Sequence, residues 1–259
     1  HMRIPRNAHS CQKPAMEPGE YALMDQAEGS MWWYRALHAR LRDALRGIQG
    51  RVLDAGCGTG GLLATLRDLP GLDLHGLEYD RTAAARAAAK AGARIVCGSI
   101  NALPFADASF AAILSADVLC HAAVDPPTAL AELRRVLRPG GRLVLNMPSY
   151  EWLLSAHDRQ VHNARRTTAT ALARDLTAAG FAQIRTRYWN TLLLPLMVLQ
   201  RKVLARGSAG DKGGETMSDV AAFPPFIDAT FHALTELERR LRLPMPAGGS
   251  VLAIAERPA

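Results

Sequence analysis

Short apolar runs alternate with stretches of helical spacing along most of this chain. The first run, Val52-Leu53, ends in Asp54. Glycines in alternation follow (Gly56, Gly58, Gly60), then apolar residues at helical spacing, Leu62, Leu63, Leu66 and Leu69. That order predicts a strand, a tight turn and a helix, the opening of a βαβ unit. The rhythm then repeats. Runs at 72–77, 94–97, 111–115 and 142–148 read as strands, with helices over 82–91 and 128–137. Pro126 and Pro127 open the second helix, and Arg138-Pro139-Gly140-Gly141 stops it. A helix over 168–179, a strand over 181–189 and a last strand over 250–256 complete the series. Strands alternating with helices argue an α/β fold, a largely parallel sheet covered on both faces.

Three stretches stand outside this rhythm. Residues 1–19 carry Pro5, Pro14, Pro18 and Gly19 among polar residues and read as a flexible leader, in which His1-Met2 looks like a cloning remnant. Residues 20–48 read as a helical lid, helical from Glu20 to Leu45 with Met31-Trp32-Trp33-Tyr34 at its centre. Neighbours on a helix point about 100° apart, so three adjacent rings cannot share one core. Part of that aromatic surface is expected to cover a ligand or to pack on a second element. Tyr21, Trp33 and Tyr34 are therefore candidate substrate-binding residues, with plain packing of the lid as the other reading. Residues 192–243 read as a helical insertion before the last strand. It comprises an apolar helix over 190–205 broken by Pro195, a linker over 207–214, and a helix over 221–243 bearing Phe223, Phe226, Phe231, Leu234, Leu237 and Leu241. Residues 49–259 then form one domain carrying that insertion.

The glycine turn is where chemistry enters. Glycines let the backbone approach a ligand closely, and the helix that follows points free N–H groups into the same crevice. Dinucleotide-binding turns space their glycines G-x-G-x-x-G; here the third glycine comes one residue early. The second strand ends at Glu78-Tyr79-Asp80. An acid there suits the two ribose hydroxyls of a nucleoside. Glu78 is assigned that role, and Asp80 the cap of the next helix.

Asp54-Ala55-Gly56-Cys57-Gly58-Thr59-Gly60 resembles the first motif of class I S-adenosylmethionine (SAM)-dependent methyltransferases, D-x-G-x-G-x-G, and Glu78 stands where their second motif carries its ribose-binding acid. Ala102-Leu103-Pro104-Phe105-Ala106-Asp107-Ala108-Ser109-Phe110 is similar to the family's L-P-F-x-D-x-S-F segment, and Arg138-Pro139-Gly140-Gly141 to its P-G-G turn. The resemblance, specific over 51–190 and 250–256, implies a Rossmann-like seven-stranded sheet whose last strand inserts antiparallel between strands five and six. It implies SAM as cofactor and S-adenosylhomocysteine (SAH) as product. The cofactor-binding set is Asp54, Gly56, Cys57, Gly58 and Gly60 in the turn, Glu78 and Tyr79 after strand two, Ser99 and Ile100 beside the base, and Ala116 at the end of strand four. Ser99 replaces the family's usual Asp.

Two segments are candidates for substrate chemistry. Ala116-Asp117-Val118-Leu119-Cys120-His121 follows strand four and faces the crevice at the sheet's switch point. His121 is a candidate substrate-binding residue, either a base or a structural residue of the loop. The second segment runs Ser149 to Arg166 and holds His157, Asp158, His162, Arg165 and Arg166 within ten residues. It resembles a subset of methyltransferases with W-S-x-H-D-x-x-x-x-H-x-R-R-Y-T, Thr167 replacing the tyrosine. Asp158 and His162 share a face at helical spacing, so the carboxylate can orient the imidazole. His157 or His162 is assigned as base with Asp158 as orienter, the other reading being an arginine-tied loop that shapes the pocket. Arg166 and Tyr188 complete the substrate-binding set.

Composition changes this picture little. The net charge of +7 is carried almost wholly by arginine, and no basic run is interleaved with aromatics. Nucleic acid is thus a poor candidate partner. No apolar run reaches the ~18–20 residues of a membrane span, and no signal peptide is evident. The four cysteines (Cys11, Cys57, Cys97, Cys120) lack metal-ligand spacing and read as reduced core thiols of a cytoplasmic protein. The leading expectation is a monomeric or homodimeric methyltransferase acting on a small aromatic or apolar metabolite. The alternatives are a non-methylating, base-triggered reaction such as cyclisation in the same site, an RNA or protein methyltransferase, and a non-catalytic SAM-binding subunit.

Overall fold

The computed structural model describes residues 18–154, 158, 163–199, 223–241 and 245–259. Its centre is a seven-stranded sheet: β1 (Gly50–Ala55), β2 (Leu72–Glu78), β3 (Arg94–Cys97), β4 (Phe110–Ala116), β5 (Leu137–Pro148), β6 (Ala182–Trp189) and β7 (Ser250–Glu256). The order is β3-β2-β1-β4-β5-β7-β6. β7 runs antiparallel to both β5 and β6, and the other pairings are parallel. Sheet and helices form the expected Rossmann-like fold.

Side-chain alternation divides the core into two layers. Leu53, Ile113, Leu143 and Leu145 face one side, with α5 (Pro126–Val136) and α6 (Ala169–Ala178) packed on them through Leu130, Leu133, Leu172 and Leu176. Val52, Ala112, Leu114 and Val144 face the other, under α2 (Trp32–Ala44) and α3 (Gly61–Leu66). Burying each large side chain of this kind contributes about 1.5–3 kcal/mol. α4 (Arg81–Ala91) closes the second layer with small residues, Ala87 and Ala91, against Leu63 and Cys57. Asp80 caps it as expected, accepting from the N–H groups of Thr82 (2.7 Å) and Ala83 (2.9 Å).

The structure corrects several expectations. The helical pattern from Glu20 to Leu45 is two helices, α1 (Pro18–Ala27) and α2, separated at Glu28–Met31. The aromatic cluster therefore sits at the start of α2, not mid-helix. Its rings part as their spacing requires: Trp32 meets Phe231 edge-on, Trp33 stacks near Trp189, and Tyr34 meets Trp33 edge-on. Pro195 does not break a helix. It lies in the first turn of α7 (Leu194–Leu199), where its missing N–H has no intrahelical partner to lose. Cys97 is disulfide-bonded, so reduced thiols are found only at Cys57 and Cys120 among the described residues. Cys97 ends the edge strand β3 and is only partly buried, which leaves its sulfur within reach of another segment. Most of the leader and the linker at 207–214 lie outside the described residues.

α8 (Pro225–Leu241), the last helix of the insertion, lies along α2. Buried Arg40 joins them, donating to Thr235 O at 2.6 Å while its guanidinium rests 4.5 Å over the Trp189 ring.

Candidate cofactor and substrate site

The glycine turn is folded against the end of β2. The N–H groups of Gly56 and Cys57 both donate to Leu77 O, at 2.8 and 2.9 Å. Gly56 has φ +97°, and a Cβ there would fall on Val118. Gly60, φ +91°, lies so close to α4 that a Cβ would come within 2.9 Å of Ala87 Cα. Neither position tolerates a side chain. Gly58 N–H donates to Glu78 Oε2 at 2.9 Å and Asp80 N–H to Glu78 Oε1 at 2.8 Å. Glu78 O in turn accepts from Gly98 N–H at 2.9 Å, which sets Ser99 and Ile100 beside it. Ser99 Oγ accepts from Asn101 N–H and closes a local turn.

Burial dominates the electrostatics here. Asp54, 2% exposed at the end of β1, is pushed up to about 8 by burial, with the charges of Glu28 and Glu78 adding to it. Burial pushes Glu78 up to about 7 against its backbone donors. The Cys57 thiol is pushed up by burial and the neighbouring acids, which makes it a poor nucleophile. Glu28, from the α1–α2 connection, is the acid that sequence reasoning missed in this part of the site.

A second cluster forms beyond β4 and β5. Asp117 has φ +53°. Its N–H donates to Asn146 O (2.9 Å), its Oδ1 accepts from Asn146 Nδ2 (2.9 Å), and Asn146 Oδ1 accepts from Trp189 Nε1 (2.8 Å). This polar chain links the carboxyl ends of three strands, β4, β5 and β6. Burial pushes Asp117 up to about 7, against the Asn146 donor and the Arg166 charge. Sequence reading gave Asp117 no role; the available signal was an acid directly after a central strand.

The loop holding His121 is laced to residues 163–166. The N–H groups of Ala164 and Arg165 donate to Cys120 O, and Arg165 Nη1 donates to His121 O at 2.7 Å. Arg166 Nη1 reaches Ser149 O, and its Nη2 donates to both oxygens of Asp158, at 2.7 and 2.9 Å. Both partners of that ion pair are almost wholly buried. His157 and His162 lie outside the described residues, as does the side chain of Tyr21.

The fold thus brings Asp54, the glycines, Glu78, Ser99 and Ile100 to one end of the sheet. Ala116, Asp117, His121, Asp158 and Arg166 meet at the same end. Tyr188, near the carboxyl end of β6, stacks on Tyr150 (5.5 Å, 15°), and its hydroxyl accepts from Ala169 N–H at the start of α6. Tyr79 is half-buried beside Glu78, and Trp33 and Tyr34 lie in the first turn of α2.

Residues 53–145 match the family described as a methyltransferase domain. That match covers the glycine turn and Glu78 and runs from β1 into β5. Over 151 residues it is 33% identical to 24-methylenesterol C-methyltransferase 2 of Oryza sativa subsp. japonica, covering 52% of this chain and 40% of that one. The chain therefore spans less than half of this relative's length. Among solved structures, phosphoethanolamine N-methyltransferase 2 of Haemonchus contortus in complex with SAM superposes with TM-score 0.62 at 17% identity, over 99% of this chain and 59% of that one. The 4+2 cyclase SpnF superposes with TM-score 0.59 at 23% identity, over 92% and 93% of the two chains. The likenesses to solved structures show a shared fold, the Rossmann-like sheet flanked by helices. Among the described residues no helix is long and apolar enough to cross a membrane, and no group of His, Cys, Asp or Glu side chains is arranged to hold a metal ion.

Proposed function

We propose that the protein transfers a methyl group from SAM to a small aromatic or apolar metabolite of natural-product type. The observation that carries this reading is the joining of the glycine turn to Glu78 through the Gly58 N–H. Backbone N–H groups hold both Glu78 oxygens beside the glycine turn, a placement that suits the vicinal hydroxyls of a ribose. Asp54 and the open glycine backbone fit the cationic amino-acid end, and Ser99 and Ile100 the base. When bound, SAM supplies a methyl group on a sulfonium, a leaving group that needs no acid.

The chain then has to hold a nucleophile in line and keep water away, and such positioning is worth ~7–11 kcal/mol. Leu192 and Leu196 beyond β6, and Trp152 and Leu154 beyond β5, are exposed at the carboxyl end of the sheet and support an apolar acceptor. The plant relative's name, a methylenesterol methyltransferase, points the same way. For a nucleophile that arrives protonated, Asp117 and the imidazoles of His157 and His162 are the available acceptors. A base of this kind contributes ~10²–10⁴-fold.

The deciding experiment is calorimetry with SAM and SAH on the wild type and Glu78→Ala, followed by SAH formation with panels of apolar acceptors. Micromolar binding lost in the variant and acceptor-dependent SAH formation are expected. Asp117→Asn, His157→Ala and His162→Ala then separate the bases. If neither histidine variant loses tenfold in turnover, the histidine reading fails and Asp117 is left. The likeness to SpnF supports one second reading, a cyclisation in the same site with no methyl transfer. Its mark is substrate consumption with the cofactor bound and no SAH produced.

A further inference from the structure

α7 (Leu194–Leu199) is built of six apolar residues, none of them buried. It is nonetheless held in place. Glu238 accepts from the N–H groups of Asn190 (2.8 Å) and Leu192 (2.6 Å) in the turn before it, Thr191 Oγ1 donates to Ala247 O, and Leu193 is buried. Leu196 and Leu199, three apart on one face, stay exposed, as does Leu192. On α8, Glu238 stands between Leu237 and Leu241, and both of these are exposed too. The Glu238 contact therefore sets the turn before α7 beside the last turns of α8, and the exposed leucines of the two neighbour one another. Apolar surface fixed in the open in this way marks an interaction site.

Charge decides the kind of partner. From Ala182 to Gly210 the chain holds Arg185, Arg187, Arg201, Lys202 and Arg206 and no acid. Arg185 and Arg187 stand exposed on the edge strand β6 and form no ion pair among the described residues. The acids of α8 near the leucines are taken by other partners, Glu236 by Arg239 and Glu238 by buried Arg40. A second copy of this chain docked face to face would set like charges against each other. An apolar surface edged by unpaired cations fits an anionic lipid bilayer, whose headgroups attract the arginines while the leucines enter the acyl boundary.

We infer that α7 and the end of α8 dock this chain on the surface of a membrane containing anionic lipid. The contact is peripheral, since the six residues of α7 rise only about 9 Å against a hydrocarbon core of about 30 Å. α7 follows the carboxyl end of β6, the end at which Glu78 and Asp117 gather. Docking therefore sets the site beside the lipid phase, from which an apolar acceptor can enter. That consequence rests on the methyl-transfer reading; the docking itself does not.

The test is co-sedimentation of the full chain with vesicles of phosphatidylcholine alone and of phosphatidylcholine mixed with phosphatidylglycerol. Binding is expected on the anionic vesicles, weakening as salt is raised, and at least about tenfold weaker on the neutral ones. Leu199→Ser with Leu241→Ser is expected to lower the partition coefficient by on the order of tenfold or more. Arg185→Gln with Arg187→Gln should lower it by roughly fivefold per arginine, on the anionic vesicles alone. All four side chains are exposed, and circular dichroism establishes that each variant is folded. Failure to bind anionic vesicles, or equal binding to both kinds, would overturn the proposal. So would leucine variants that bind like the wild type, or a dimer in sedimentation velocity that those variants abolish while no vesicle is bound. SAM calorimetry on the same variants should be unchanged, so that a failure of docking and a failure of the cofactor reading are told apart.

Discussion

Asp54, Glu78 and Asp117 are carboxyls at strand ends whose charged forms are opposed by burial, and this fixes how stability depends on pH. Asp54 is held at about 8 when folded against an ordinary 3.8. It binds its proton more tightly in the native state, so stability falls as pH rises between those values. Glu78 and Asp117, both at about 7, act in the same direction. His38 works oppositely, pushed down to about 4 by burial, but only up to its ordinary 6.5. Above pH 6.5 the carboxyls dominate. Thermal melts of the ligand-free protein should show a falling Tm from pH 6.5 to 8, flattened in Asp54→Asn; a flat wild-type profile would refute the buried-acid account. Asp54 and Glu78 were legible in the sequence because each adjoins a local signal, the glycine turn or a strand end. Glu28 and Asp117 were not, because what makes them matter comes from elsewhere: Gly61 for the one, Asn146 and Trp189 for the other.

The same division holds for elements. The cap of α4 is local, Asp80 to Thr82 and Ala83, and its position was readable from the chain. The N-terminus of α2 has Met31 at its cap position, which offers no side-chain acceptor. Its cap arrives from α8, where Asp228 accepts from Trp32 N–H at 2.6 Å and also pairs with Arg35. Asp228→Ala should cost about 1–2 kcal/mol in urea unfolding, and Asp80→Ala about 1 kcal/mol. An Asp228 variant as stable as wild type would show that α2 needs no cap from the insertion. Glu238, also on α8, accepts from the N–H groups of Asn190 (2.8 Å) and Leu192 (2.6 Å) and fixes the turn that leaves β6. Removing that carboxylate leaves two donors short of a partner, at about 1–3 kcal/mol for a buried one. Glu238→Ala should accordingly lower the Tm and expose the turn after Trp189 to proteolysis.

At the scale of the molecule, β7 is the keystone of one half of the sheet. Its residues from Ser250 to Glu256 pair with β5 on one side and β6 on the other. A chain ending at Gly249 leaves β6 without a partner and β5 paired only with β4, and removes Val251, Ala253 and Ala255 from the core, so it should fail to give a cooperative unfolding transition. The alternation of apolar runs with helical spacing determined the strands and helices of the α/β domain, since each is set by residues a few positions apart. The spacing of Gly56, Gly58 and Gly60 determined the turn, because only glycine takes those backbone conformations at that closeness. Helical spacing already required Trp32, Trp33 and Tyr34 to point apart, but tertiary structure alone chose Phe231 and Trp189 as partners of the first two and made α8 cap α2. It alone joined Asp117 to Asn146 and Trp189, and brought Glu28 onto the turn. Those outcomes depend on which distant segments pack together, and the energy of a buried charge is set by its surroundings, not by its neighbours in the chain.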